Sequence, residues 1–325
     1  MPDALFRRLA TAAALVVAAT SLTACSDDAG EKVDEVTIAY QPGLGYAPLL
    51  IAKEKGLVEA AMPDVKITWQ VLDSGAAIRD GVISGDVQIA ASGAAPFLVG
   101  LDAGVEWKTL MAMDNMNQEL MTTNDDVRSL SDLEGGKVAM PAPDSIQSVV
   151  LRKGAEEELG DPKALDKTIV SLGHPEGLQA LVSGQIDAHL TSPPFQAEEA
   201  AEGARPLLDS YDLFGEHTFN SLHATGAFVD GNQEFVDAFT DAIAEATAML
   251  NDDPEQAAQV LADEAGGDAE TDALLKQITA DDVTFTNTPV GFGEIASFMK
   301  EIDMIGDEPS SDDMFFANDY TDGAS

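Results

Sequence analysis

Cysteine is all but absent: Cys25 is the only one, so no disulfide can brace the fold. Basic residues are scarce as well, with 17 Lys and Arg against 58 Asp and Glu and a formal net charge of −41. From 206 to 275 there is no Lys or Arg at all. Nucleic-acid binding is thereby excluded, because phosphate contacts need clustered cations. The acidity keeps a protein soluble and fits either a saline habitat or an acid-biased proteome, and it says little of a local cleft. Aromatics make up only 6% within a hydrophobic content of 45%, which suits an α/β core of Ala, Val and Leu. Four histidines, at 174, 189, 217 and 223, have no metal-site spacing. No Gly-rich phosphate loop and no nucleophile elbow occurs, so neither cofactor, metal nor catalysis is expected.

Long apolar runs are missing except near the N-terminus. Leu9–Thr20 follows Arg7 and Arg8 and is too short to span a bilayer comfortably. It reads as the apolar region of a signal peptide over 1–24, with Sec or Tat export left open. Leu22-Thr23-Ala24-Cys25 resembles a bacterial lipobox, which implies cleavage before Cys25 and a lipid on its thiol. Residues 25–35 then read as a tether, and the mature protein as a soluble body anchored to the outside of the cell membrane. Removing 1–24, with two arginines and one aspartate, leaves a charge of −42.

What is present, twice, is one short pattern. Gly81–Ser92 runs Gly-Val-Ile-Ser-Gly-Asp-Val-Gln-Ile-Ala-Ala-Ser and closes at Pro96-Phe97. Ala180–Ser192 runs Ala-Leu-Val-Ser-Gly-Gln-Ile-Asp-Ala-His-Leu-Thr-Ser and closes at Pro194-Phe195. Each reads as a helix end, a Gly stop, a buried strand and a Ser/Pro turn opening a new helix. Each would aim a helix N-terminus beyond the strand's C-terminal end, where open α/β sheets bind ligands. Two such units predict two similar lobes facing each other across a cleft.

The alternation of elements supports a mainly parallel sheet in each lobe. Strands are predicted at 36–40, 65–72, 87–91 and 107–113, separated by helices. After a polar break at 114–119, strands follow at 120–123, 137–140, 167–171, 187–191 and 206–208. A short helix is predicted at 126–134 and longer ones at 145–159, 175–183 and 194–202. Residues 222–229 are apolar enough for a strand returning to the first lobe. Gln233–Leu250 places Phe235, Val236, Phe239, Ile243, Ala246 and Leu250 at helical spacing, and further helices follow at 254–265, 270–279 and 291–305. The acidic Gly/Ser/Asp-rich tail at 306–325 is expected to be loosely held.

A strand ending in Tyr40-Gln41-Pro42, the Ser84-Gly85-Asp86-Val87 turn and Ser129-Leu-Ser-Asp-Leu-Glu-Gly-Gly-Lys-Val138 together make a recognisable set. With Gly177-Leu-Gln-Ala-Leu-Val-Ser-Gly184 and Ser192-Pro-Pro-Phe195, the chain resembles a solute-binding lipoprotein of an ABC importer. Within that class it is similar to the nitrate/sulfonate/taurine (SsuA/TauA, NMT1/THI5-like) group, over about 36–263. The resemblance implies an α/β, two-lobed periplasmic-binding-protein type II fold with a ligand cleft between the lobes. Lobe 1 would hold 36–114 and 222–305, and lobe 2 would hold 115–221.

The residues expected to bind ligand follow from both arguments. In lobe 1, Ser92, Gly93 and Ala94 stand where the resemblance implies that a helix N-terminus meets a polar or anionic group. Gln41 can donate and accept, and Tyr46 offers a ring face and a hydroxyl. In lobe 2, Ser145 and Gln147 occupy a first helical turn that Asp144 alone could cap, and Thr191, Ser192 and Phe195 mirror the lobe 1 turn. Asn115 falls at the first hinge, and His223 lies near a crossing strand. His174, before Pro175, can reach the cleft or cap a helix, and the cap is the favoured reading; Arg79, Lys137 and Arg152 read as peripheral. The resemblance implies a monomeric extracytoplasmic receptor that closes on a small anionic or zwitterionic solute and passes it to a permease and an ATPase. A neutral pyrimidine ligand, or a sensing or interaction role without transport, is the alternative. The cysteine-rich chemistry of pyrimidine-making relatives is not expected with one cysteine.

Overall fold

The computed structural model describes residues 32–266 and 271–324. The segment expected to be a signal peptide and Cys25 lie outside the described residues. Among the described residues, eleven strands form two sheets. Strands β1 (Glu35–Tyr40), β2 (Lys66–Val71), β3 (Ile89–Gly93) and β4 (Trp107–Met116) precede β5 (Glu119–Thr122) and β6 (Val138–Met140). Then come β7 (Ile169–Ser171), β8 (Ala188–Thr191), β9 (Arg205–Asp209), β10 (Thr218–Thr225) and β11 (Val283–Phe285). The first sheet has the order β11-β4-β10-β3-β1-β2 and the second β7-β6-β8-β5-β9. In each, three neighbouring strands are parallel (β2, β1, β3 and β7, β6, β8) and the remainder join antiparallel.

The chain passes between the sheets twice, through Asn117 and Gln118 after β4 and through 210–217 before β10. Gly85, at φ 82°, closes the helix Gly75–Ser84 through its N–H to Gly81 and Val82. Gly184, at φ 71°, stands at the same point of the second copy. Both positions need the left-handed conformation that glycine adopts without steric cost. The larger core, built on the first sheet, takes in Ile38, Ile89, Phe97, Trp107, Phe239 and Phe292. It also includes Ile146 and Val149, which belong to the first helix after β6. The two lobes are therefore packed against each other along that helix, in a closed arrangement.

The structure departs from the sequence expectations in four places. Residues 114–116 continue β4 rather than breaking it, because Asp114 meets Asn220 and Asn115 meets Thr218 inside the sheet. The returning strand is Thr218–Thr225, and the chain then turns into the helix Gly226–Gly231, capped by Thr225 on the N–H of Phe228. The segment 126–134 holds only a 3-10 turn, Leu130–Leu133, with a Ser129/Asp132 capping box. The tail at 306–324 is docked. Phe315 is 7% exposed, bridges Thr109 and meets the Phe292 ring at 5.2 Å, while Asn318 donates to the Leu110 carbonyl.

Candidate functional site

Three strand ends from each lobe converge on one cavity. In the first lobe, β1 leads into Gln41, Pro42, Gly43 and Tyr46, β2 leads to Gly75, and β3 leads to Gly93 and Pro96. In the second, β6 leads to Ser145, Ile146 and Gln147, β7 to His174 and β8 to Ser192. Phe219 and Asn220 of β10 complete the wall. This is the crevice beyond the C-terminal strand ends where open α/β sheets bind ligands.

The cavity is closed down, with about 20 Å³ open to the centre of a water-sized sphere. That is room for one or two waters, since each needs roughly 10–15 Å³ on this measure. Contacts across the cleft hold it shut. The Leu44 N–H donates to the Pro193 carbonyl at 3.1 Å, and Arg79 Nη1 donates to Asp144 Oδ2 at 2.5 Å. At Gly93 a Cβ would lie 3.2 Å from Ile146 Cγ2, so glycine lets the lobes approach here.

Four helices present their first turns to this cavity: Gly75–Ser84, Ala94–Asp102, Ile146–Leu159 and His174–Val182. Each contributes the positive end of its dipole. Among the described residues, no lysine or arginine lines the cavity. Arg79 is committed to Asp144, Arg152 to Asp166 and the Pro143 carbonyl, and Lys137 is exposed. The remaining polar groups are carboxamides, hydroxyls and one imidazole. Gln41 Nε2 donates to Tyr46 Oη at 2.6 Å, and burial raises the Tyr46 pKa above its ordinary value.

Of the residues singled out from the sequence, Gln41, Tyr46, Gly93, Ser145, Gln147 and Ser192 line the cavity. Ser145 also caps its helix by accepting from the Ser148 N–H, which leaves Asp144 free to pair with Arg79. Thr191 and Phe195 stand one layer back. Thr191 Oγ1 lies 3.3 Å from His174 Nδ1, and the Phe195 ring stacks on His174 at 5.5 Å. Ser92 is not a cap: Gly93 is the N-cap, and Ser92 Oγ is buried in β3 with no partner among the described residues. Ala94 is buried in the first helical turn without lining the cavity. Asn115 spends both ends of its amide at the crossover, donating to Glu216 and accepting from Thr218.

His223 is a core residue rather than a cleft residue. It pairs with Ala90 in mid-sheet, stacks on Phe97 at 4.3 Å and 6°, and bonds Thr109 Oγ1 at 3.0 Å. Burial pushes its pKa down to about 3. His174 reverses the expectation in the other direction. Its helix is capped by Gly173 with no side-chain bond, and the imidazole faces the cavity. Its Nε2 lies 3.3 Å from Gln147 Nε2 and its Nδ1 lies 3.3 Å from His189 Nε2. Asn220 and Phe219 also escape the sequence argument, because a strand that is polar on its cleft side does not look like a buried strand. Among the described residues, no group of three or more His, Cys, Asp or Glu is placed to hold a metal ion.

Comparison with known proteins gives the same frame. A putative aliphatic sulfonates-binding protein of Escherichia coli is 25% identical over 237 residues, covering 72% of each chain. The taurine-binding periplasmic protein of E. coli is 28% identical over 213 residues, 63% of this chain and 62% of its own. The alkanesulfonate-binding protein SsuA of Xanthomonas axonopodis pv. citri, solved bound to MOPS, superposes with a TM-score of 0.69 at 19% identity. That match covers 86% of this chain and 96% of SsuA, and it establishes the two-lobed binding-protein fold. The NMT1-like family profile matches residues 29–263, most of the chain, and this protein belongs to that family.

Proposed function

We propose that this chain is the extracytoplasmic receptor of an ABC importer, anchored by a lipid on Cys25, that closes on a small anionic or zwitterionic solute. The residues proposed to meet it are Gln41, Tyr46, Gly93, Ser145, Gln147, His174, Ser192 and Asn220. A permease and an ATPase are its expected partners. The observation that carries the reading is the meeting of four helix N-termini on one cavity between two lobes. Each such terminus favours a negative group by about 0.3–2 kcal/mol. With hydrogen bonds from the carboxamides and hydroxyls, this accounts for a good part of the roughly −8 kcal/mol of micromolar binding. The sulfonate and taurine specificities of the relatives point to the same chemical class. The cavity as closed is too small for a sulfonate or taurine, so the lobes must part to admit one and settle less tightly around it.

The test is thermal denaturation of residues 26–325 with methanesulfonate, taurine, nitrate, pyrimidines and amino acids. A ligand at about a hundred times its dissociation constant adds roughly 2.7 kcal/mol, a rise of several degrees. A saturable rise with a sulfonate, taurine or nitrate supports the reading. A rise with pyrimidines alone transfers the receptor to a neutral ligand. A flat response to the whole panel refutes the proposed ligand classes.

A further inference from the structure

A buried row of three titratable side chains runs from the cavity wall into the second lobe. His174 is at the wall, and its Nδ1 lies 3.3 Å from Nε2 of His189. His189 Nδ1 lies 2.5 Å from Oε1 of Glu199. His189 and Glu199 are fully buried, and Glu199 Oε2 has no partner among the described residues. We propose that His174, His189 and Glu199 form a proton relay that supplies the cation the cleft otherwise lacks; this rests on the anionic-solute reading above. In the empty cleft the Glu199 carboxyl donates to His189 Nδ1, His189 Nε2–H donates to His174 Nδ1, and His174 keeps its proton on Nε2. An anion seated against His174 draws two protons one step each. Glu199 gives its proton to His189 Nδ1, and His189 gives its Nε2 proton to His174 Nδ1. The chain then holds the same three protons, with an imidazolium facing the ligand and a carboxylate at the buried end. No proton is taken from solvent.

Burial supports the uncharged resting form, since it pushes Glu199 up to about 8 and His189 down to about 3, and lowers His174 as well. Glu176 shares the helix of His174, Glu198 neighbours Glu199 in sequence, and the Arg79–Asp144 pair across the cleft is already spent on itself. His174 Nε2 is protonated in both forms, so the Gln147 amide, 3.3 Å away, must turn its oxygen to it in each. Thr191 and Phe195 hold the ring in place.

Nitrogen-15 NMR of the histidines in the wild-type protein tests the relay directly. Saturation with methanesulfonate, taurine or nitrate should leave both ring nitrogens of His174 protonated. Calorimetry in two buffers of different ionisation heat should show no net proton uptake. In Glu199→Gln the two-proton signature should vanish, and the anion dissociation constant should rise about tenfold, the difference between a charged and a neutral hydrogen bond. Binding of neutral methanesulfonamide should barely change. If the variant does not fold, the wild-type nitrogen signature decides. An anion bound with His174 still singly protonated overturns the relay and leaves the receptor reading standing. Failure of all three anions to bind the wild type overturns both.

Discussion

Substituting Gly177 by alanine sets two physical effects of opposite sign against each other. Gly177 sits inside the helix His174–Val182, where alanine is normally favoured by about 1 kcal/mol. A Cβ at this position, however, would lie 2.5 Å from His189 Nε2 and 2.6 Å from Cε1. The ring cannot swing away easily, because it is fully buried and its far nitrogen is held at 2.5 Å by Glu199. Overpacking of this kind costs about 1–3 kcal/mol. Disturbing a buried hydrogen bond adds about 1–3 kcal/mol more. Steric cost therefore outweighs helix propensity, and Gly177→Ala should lose roughly 1–5 kcal/mol. A loss near the middle of that range lowers the melting temperature by roughly 5 °C in a chain of this size. Gly293 is the control. It lies in the first turn of the helix Phe292–Glu301, and a Cβ there meets nothing within 4 Å. Gly293→Ala should be neutral or stabilise by up to about 1 kcal/mol. Scanning calorimetry of the two variants beside wild type gives the answer. A Gly177→Ala protein melting at or above wild type would refute the tight His189–Glu199 wall and the reasoning built on it.

Asp144→Asn removes the charge that Arg79 meets across the cleft, so the closed form should lose about 1–2 kcal/mol and solute affinity should fall about 5–30-fold. Small-angle scattering should show a larger radius of gyration; an unchanged radius and affinity would mean that the pair does not hold the lobes together. Glu199 has a folded pKa of about 8, above its unfolded value, so its contribution to stability is full at low pH and is lost as pH rises towards 8. His189 and His223, pushed down to about 3, act in the opposite sense, gaining stability up to about pH 6.5 and nothing beyond. Between pH 6.5 and 8 wild type should therefore lose up to about 2 kcal/mol relative to Glu199→Gln in urea titrations; parallel curves would place the Glu199 pKa elsewhere. Phe315→Ala empties the seat of the tail beside Phe292 and should cost roughly 3 kcal/mol by denaturant unfolding. No loss would mean that the tail contributes nothing to the body.

Much of the fold is legible in the sequence because its signals are local. The glycines at 85 and 184 end their helices at positive φ through local geometry alone, and the apolar stripe of Gln233–Asp252 has one possible face. What escapes is set by distant partners. β11 is three residues long with one of them buried, and only its pairing with 114–116 makes it a strand. The tail is acidic and Gly-rich, yet Phe315 and Asn318 find partners two hundred positions away. The site divides in the same way. Residues directly after strand ends, such as Gln41, Ser145 and Ser192, can be read from αβ units. His174 and His223 exchange their expected places because strand register decides which histidine stands beyond the sheet and which lies within it. One signal for His174 was present: it follows the β7 end, as Ser145 follows that of β6.

The scarcity of cations and the character of the cleft are connected. With 58 acidic residues against 17 basic ones, any arginine near the cleft has carboxylates competing for it. Arg79 and Arg152 are both captured, by Asp144 and Asp166. A lysine or arginine kept free for a ligand would have to resist the same competition. Helix N-termini need not, because their partial charges come from the backbone and cannot be drawn off by a nearby side chain. Histidines buried at the wall are protected in another way: burial keeps them neutral, and in the proposed relay only a ligand's own charge would favour the imidazolium. Recognition of an anion by dipoles and a latent imidazolium is therefore a consistent solution for a chain this acidic. On the proposed reading, it would let the cleft act on a negative solute without displaying a fixed cation that the protein's own surface would neutralise.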